Sequence, residues 1–142
     1  MTDNKQFEIN LTKTYTANLS AIINLFRDNT IFELTGANEI ESDFNVHGKF
    51  HLTFRNRGII YGQFIKIEDK ELMLEWNVEG FQRPTELKTI LSIHLQQNNE
   101  QCILTLSHKN IVEADSADAK RRAWKEVLEG LELKLDEING KI

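Results

Sequence analysis

The chain holds a single cysteine, Cys102, in 142 residues. No intramolecular disulfide can hold it together, and a lone thiol suits a reducing compartment. No apolar run approaches the roughly 18 residues of a membrane span, and the first residues carry no apolar stretch of the signal-peptide kind. The expectation is a cytoplasmic chain without a membrane span. Positive charge is scarce as well: 17 Lys and Arg stand against 22 Asp and Glu, for a net charge of −5. That balance excludes a general nucleic-acid binder, which needs a clustered basic surface. The one basic cluster, Lys120, Arg121, Arg122 and Lys125, reads as the solvated flank of a helix.

Enzymatic templates are missing too. There is no GxGxxG, P-loop or GxSxG pattern. His47 and His51 lie four apart, but Gly48 and strand alternation deny them the shared helix face of a zinc site. Cys102 has no basic neighbour in sequence to lower its pKa. No catalytic residue, metal or cofactor is therefore expected. Only one proline, Pro84, interrupts the chain, and no linker, repeat or low-complexity tract divides it. One domain over residues 1–142, with its core at about 7–138, follows.

What is present is strand alternation closed by one long helix. From Ser116 to Ile138, the apolar residues Ala117, Trp124, Val127, Leu128, Leu131, Leu135 and Ile138 recur at three- and four-residue steps, one stripe of a helix. Ser116 is the expected N-cap and Gly140 the stop. At the other end Phe7, Ile9, Leu11 and Tyr15 alternate with polar residues, the period of a half-buried strand. Asn18 caps a short helix and Thr30 opens another, ending near Gly36. Strands dominate thereafter: a weaker one over Glu39 to Asn45, then Lys49 to Phe54, and a turn at Asn56 to Gly58 in which Gly58 supplies the positive φ.

Two hairpins follow. In the first, Ile59 to Ile67 pairs with Leu72 to Val78 around Asp69 and Lys70, setting Ile67 opposite Leu72 and Gln63 opposite Trp76. A register shifted by one residue, which turns Phe64 inward, stays open. A loop from Phe81 to Pro84 separates it from the second. There Asn98-Asn99 is the tip and Leu95 faces Cys102, Ile93 faces Leu104, Leu91 faces Leu106 and Thr89 faces His108. The expected fold class is α+β: a curved antiparallel sheet of about six strands with one long C-terminal helix across its concave face.

That order of elements, with its residues, resembles the helix-grip fold of the START-like, or polyketide cyclase-like, superfamily. GKF at Gly48 to Phe50, YGQFIKIEDKELMLEW at Tyr61 to Trp76, ILTLSHKN at Ile103 to Asn110 and WKEVLEGLELKL at Trp124 to Leu135 look like the family of heat-shock protein 90 ATPase activator homologues, in its stand-alone bacterial type. Two places depart from that family's pattern. Ala123 stands where a glycine often precedes the helix tryptophan, and FELTGA lacks the tryptophan often found after the first helix.

The resemblance implies a cavity between sheet and helix and a small, largely apolar ligand held without catalysis. The residues expected around that cavity are Phe50, Leu52, Trp76, Leu91, Ile93, Leu104, Leu106, Trp124 and Leu128. His108, Tyr61 and Gln63 are the expected polar contacts, Tyr61 and Gln63 only in the first of the two hairpin registers. For each apolar residue the plain alternative is core, and for His108 it is a ring satisfied by a backbone carbonyl. Ala119, Ala123 and Gly130 share the edge of the stripe beside Val127; the expected reason for Gly130 is close approach of a strand. Two further readings stand beside ligand binding: an enzyme of the cyclase or hydratase kind, with His108 as general base, and a co-chaperone with an exposed apolar patch that includes Leu133.

Overall fold

The computed structural model describes residues 6–140. In chain order it contains β1 (Phe7–Tyr15), α1 (Leu19–Arg27), α2 (Thr30–Leu34), β2 (Glu39–Ser42), β3 (Lys49–Phe54), β4 (Gly58–Ile67), β5 (Glu71–Gly80), β6 (Arg83–Asn98), β7 (Gln101–Ile111) and α3 (Ala114–Ile138). The strands form one antiparallel sheet of seven, ordered β1-β7-β6-β5-β4-β3-β2. The α+β helix-grip architecture is as expected, with one strand more than about six.

Local chemistry sets most boundaries. The Asn18 side chain accepts from Ser20 N at 3.0 Å and starts α1, satisfying a donor that a helix start otherwise leaves bare. Gly36 (φ +93) and Gly140 (φ +74) end α2 and α3 in the left-handed region. In the turn before β4, Asn56 (φ 63) takes the positive φ. Gly58 instead begins the strand, where a Cβ would lie 2.5 Å from Glu79 O.

Four expectations about register and boundaries are corrected. The β6–β7 hairpin turns at Asn99-Glu100, with Gln97 opposite Cys102, Leu95 opposite Leu104 and Leu91 opposite His108. The shift from the expected pairing is two residues, so each side chain keeps its face. In the β4–β5 hairpin both candidate registers occur. Ile67 faces Leu72 near the tip, a bulge follows at Ile65, and beyond it Phe64 faces Leu74 and Gly62 faces Trp76. One extra residue on β4 thus switches its inward row from Ile67 to Phe64.

The third correction concerns Phe81 to Pro84. Phe81 (φ 59) and Gln82 (φ 55) are the two-residue tip of a β5–β6 hairpin closed by Gly80 opposite Arg83, and Pro84 already lies in β6. Positive φ at both tip residues is the twist that fits a two-residue hairpin loop. The fourth concerns α3, which begins at Ala114, so Ser116 lies in its first turn rather than capping it. At the far end Ile138 leaves the stripe and is 60% exposed.

Candidate functional site

The inner rows of the sheet and the stripe of α3 enclose a core that is dense at one end and open at the other. At the dense end, Leu91, Ile93, Leu95, Cys102, Leu104 and Leu106 are buried beside Leu128, Leu131 and Leu135 of α3. Tyr15 Oη donates to Leu128 O at 2.7 Å and Lys13 Nζ lies 3.4 Å from Glu132 Oε2, tying this half of α3 to β1. Burial pushes the Tyr15 phenol well above its ordinary pKa, with Glu132 adding to the effect.

At the other end the β5–β6 tip and the N-terminal half of α3 diverge. Between them is an open cavity of about 1070 Å³. Its sheet wall is Phe54, Ile60, Trp76 and Val78; Phe81 and the start of β6 form its far side. Leu34 of α2 and the following Thr35 close one edge, and Ala119, Ala123, Trp124 and Val127 supply the helix wall. Phe81 meets Phe54 edge-on at 5.2 Å and carries the Arg57 guanidinium 5.5 Å from its ring centre, contacts that hold a bulky residue at the tip.

Of the residues expected around the cavity, Trp76 and Trp124 line it. Their rings lie 5.0 Å apart, and each is nearly buried. Phe50, Leu52, Leu91, Ile93, Leu104, Leu106 and Leu128 lie in the packed core beneath or beside it. Phe50 stacks on Phe32 at 5.2 Å, and Phe64 joins them. Tyr61 and Gln63 do not reach the site. The Ile65 bulge puts Phe64 and Gly62 inward, so by strand alternation Tyr61 and Gln63 face the outer surface. There the Tyr61 ring stacks near His51 at 6.3 Å, and a hydrogen bond to Glu79 raises its pKa.

His108 is fully buried behind the two tryptophans, and both of its ring nitrogens have partners. Trp124 Nε1 lies 3.0 Å from His108 Nδ1. An indole nitrogen can only donate, so Nδ1 is bare and the ring proton sits on Nε2. That N–H donates to Thr89 Oγ1 at 2.8 Å, and the Thr89 hydroxyl donates to Trp76 O at 2.6 Å. The ring is thus satisfied by a side chain on each side rather than by a backbone carbonyl. Burial, and then the nearby Lys120 charge, push its pKa down to about 3. A charged ring would aim an Nδ1–H at the indole N–H, two donors face to face. His108 therefore orients Trp124 and Thr89 and stays neutral.

Gly130 has a helical neighbour rather than the expected strand. A Cβ there would lie 3.0 Å from Leu34 Cδ2, so the missing side chain lets α2 pack against α3 at the cavity edge.

One group was overlooked. Lys120, assigned from sequence to a solvated flank, folds inward with only 12% of its side chain exposed and pairs with Glu86, itself 9% exposed. Ser116 Oγ joins them, 3.1 Å and 3.2 Å from the two Glu86 oxygens. The available signal was the i, i+4 spacing of Ser116 and Lys120 beside Trp124, which puts them on the sheet-facing side. Glu86 was hidden because a bulge at Leu87 and Lys88, where Lys88 takes φ 60, displaces the strand's alternation.

Comparisons with known proteins agree with the fold. Solved structures that superpose on the chain include MLL2253 from Mesorhizobium loti, with a TM-score of 0.78 at 16% identity over 92% of this chain and 98% of that one. The Aha1 dimer from Colwellia psychrerythraea matches with a TM-score of 0.73 at 19% identity, over 89% of this chain and 93% of that one. An HSP90 activator from Plasmodium falciparum matches at 0.70 and 20% identity, over 90% and 95%. These likenesses show the shared fold. No curated protein sequence matches the chain. The family profile described as "Activator of Hsp90 ATPase homolog 1-like protein" matches residues 27–136, and the chain belongs to that family, within the START-like superfamily.

Proposed function

We propose that this domain binds a small, largely apolar molecule, without catalysis, in the cavity between the sheet and the N-terminal half of α3. The observation that carries the reading is the cavity of about 1070 Å³ walled by Trp76, Trp124, Phe54 and Ile60. Its size is that of a drug-sized ligand site; the wall against the core is apolar, and exposed charged residues such as Arg57, Arg83, Asp118 and Arg122 complete the lining. Small helix residues, Ala119 and Ala123, line its helix side and leave room there.

The non-catalytic part of the reading is supported by the state of the two groups best suited to chemistry. His108 is engaged at both ring nitrogens, and its basicity is suppressed far below neutrality. Cys102 is buried, and desolvation raises its thiol pKa, the opposite of an activated nucleophile. A co-chaperone role is carried by the family resemblance. Of the exposed apolar residues, Leu87 and Val112 belong to the cavity rim, while Val46, Leu133 and Ile138 stand apart from it. Scattered side chains of this kind are ordinary surface.

The test is a thermal-shift and NMR titration against fatty acids, sterols, flavonoids and polyketide-like aromatics. The expected result is a rise in melting temperature with one class, together with shifts of the Trp76 and Trp124 indole resonances. Indoles that stay still for every class would sink the reading and make a partner pull-down the next measurement.

A further inference from the structure

Resting on the reading that the cavity holds a ligand, we propose that Glu86, Ser116 and Lys120 form its polar recognition element. It selects a neutral hydroxyl group on an otherwise apolar molecule. The three residues sit where β6 and α3 begin to part, and all three line the cavity. Lys120 Nζ donates to Glu86 Oε1 and to Ser116 Oγ, the latter at 3.2 Å. Ser116 donates to the Glu86 carboxylate. An ammonium has three N–H donors and a carboxylate about four acceptor positions. One Lys120 donor and part of the Glu86 lone-pair capacity have no protein partner among the described residues.

The placement of this pair is not explained by stability. A buried ion pair contributes little beyond what apolar residues of the same shape would, because both charges lose their water. The sheet and α3 are already joined by Leu128, Leu131 and the Trp124–His108 contact. What the pair adds is a buried, matched donor and acceptor set beside the apolar wall of Phe54, Ile60, Trp76 and Trp124. A ligand carboxylate placed there would meet the Glu86 charge, and an ammonium would meet Lys120. A hydroxyl carries one donor and two acceptor positions. It accepts from Lys120 and donates to Glu86 with no net charge brought in, while its apolar body lies against Trp76 and Trp124.

The experiment compares 2-naphthol, 2-naphthoate and naphthalene at neutral pH, with Kd from NMR titration of the tryptophan indole signals. The expected ranking has naphthol at least about tenfold tighter than either of the others, the scale of one charge-assisted hydrogen bond. Lys120→Met and Glu86→Gln should each erase that advantage and leave the naphthalene Kd unchanged, which also reports that the variant is folded. Equal affinity for all three, or a preference for naphthoate, overturns the recognition element while leaving the cavity reading intact. If none of the three binds and the indoles do not move, the cavity reading fails and this one fails with it. The wild-type ranking is decisive even if a variant does not fold.

Discussion

The two halves of α3 pack against the same sheet and do opposite things. Over the C-terminal half, Leu128, Leu131 and Leu135 share one buried core with the inner rows of β6 and β7, and Tyr15 and Lys13 fasten the helix to β1. Over the N-terminal half, Ala119 and Ala123 present little side chain, the β5–β6 tip leans away, and about 1070 Å³ stays open. The difference is which face of α3 borders the sheet: the leucine stripe at one end, and at the other also the edge that carries Ala119 and Ala123. Large residues convert burial into close packing, whereas small ones leave a space that the rigid frame beneath does not collapse into. The aromatic group of Phe32, Phe50, Phe64 and Trp76 forms part of that frame.

Substitutions on either side of this boundary can break the contrast. The largest effect belongs to the packed frame. Phe64→Ala, at a fully buried site touching Phe32, Phe44 and Phe50, is expected to cost about 3–5 kcal/mol in urea unfolding. A loss under about 1 kcal/mol would mean that this part of the core is as loose as the cavity.

A pH series probes the boundary itself. In the unfolded chain His108 takes up a proton near its ordinary 6.5, but in the folded chain only near 3. The unfolded state therefore binds more protons between those values. Stability is complete above pH 6.5 and falls progressively toward pH 3, by a few kcal/mol in all. His108→Gln should flatten that part of the profile relative to wild type. Parallel profiles for the two proteins would show that the buried ring does not govern acid sensitivity.

Trp124→Ala should cost about 2 kcal/mol, less than Phe64→Ala. The indole meets the cavity only along the 5% of its surface that is exposed, so somewhat fewer contacts disappear than at Phe64, although the bond to His108 Nδ1 is lost. Equal losses at the two positions would mean that Trp124 is packed core. The smallest effect is expected at Gly130→Ala. Helix propensity favours alanine by about 1 kcal/mol, while the new methyl meets the flexible tip of Leu34 at 3.0 Å. The net change in melting free energy should stay within about 1 kcal/mol. A larger loss would show that α2 cannot yield at the cavity edge.

The elements themselves were legible in the sequence because each is local. Three- and four-residue apolar steps define α3, Asn18 and Gly36 punctuate the short helices, and strict alternation reveals β1, β3, β6 and β7. The inner face of the β6–β7 hairpin was right despite a slip of two residues, since the pleat repeats every two. Tyr61 and Gln63 were misplaced for the converse reason. A single bulged residue at Ile65 exchanges the faces of a strand, and the sequence offers two registers of similar quality. Most residues expected around the cavity proved to be core because apolar periodicity identifies an inward face without saying how far the opposite wall stands.

Sequence alone thus determined the α+β class, the long closing helix, the inward rows of most strands and the inward face of Thr89 and His108. These follow from periodicities of two and of 3.6, which any stretch carries within itself. Only the tertiary structure decided where the cavity lies, that His108 is locked between two side chains, and that Lys120 turns inward to Glu86. Each depends on the distance between elements far apart in the chain. That distance is set by side-chain volumes summed across the interface, by the bulges at Ile65 and at Leu87–Lys88, and by the angle at which α3 leaves the sheet.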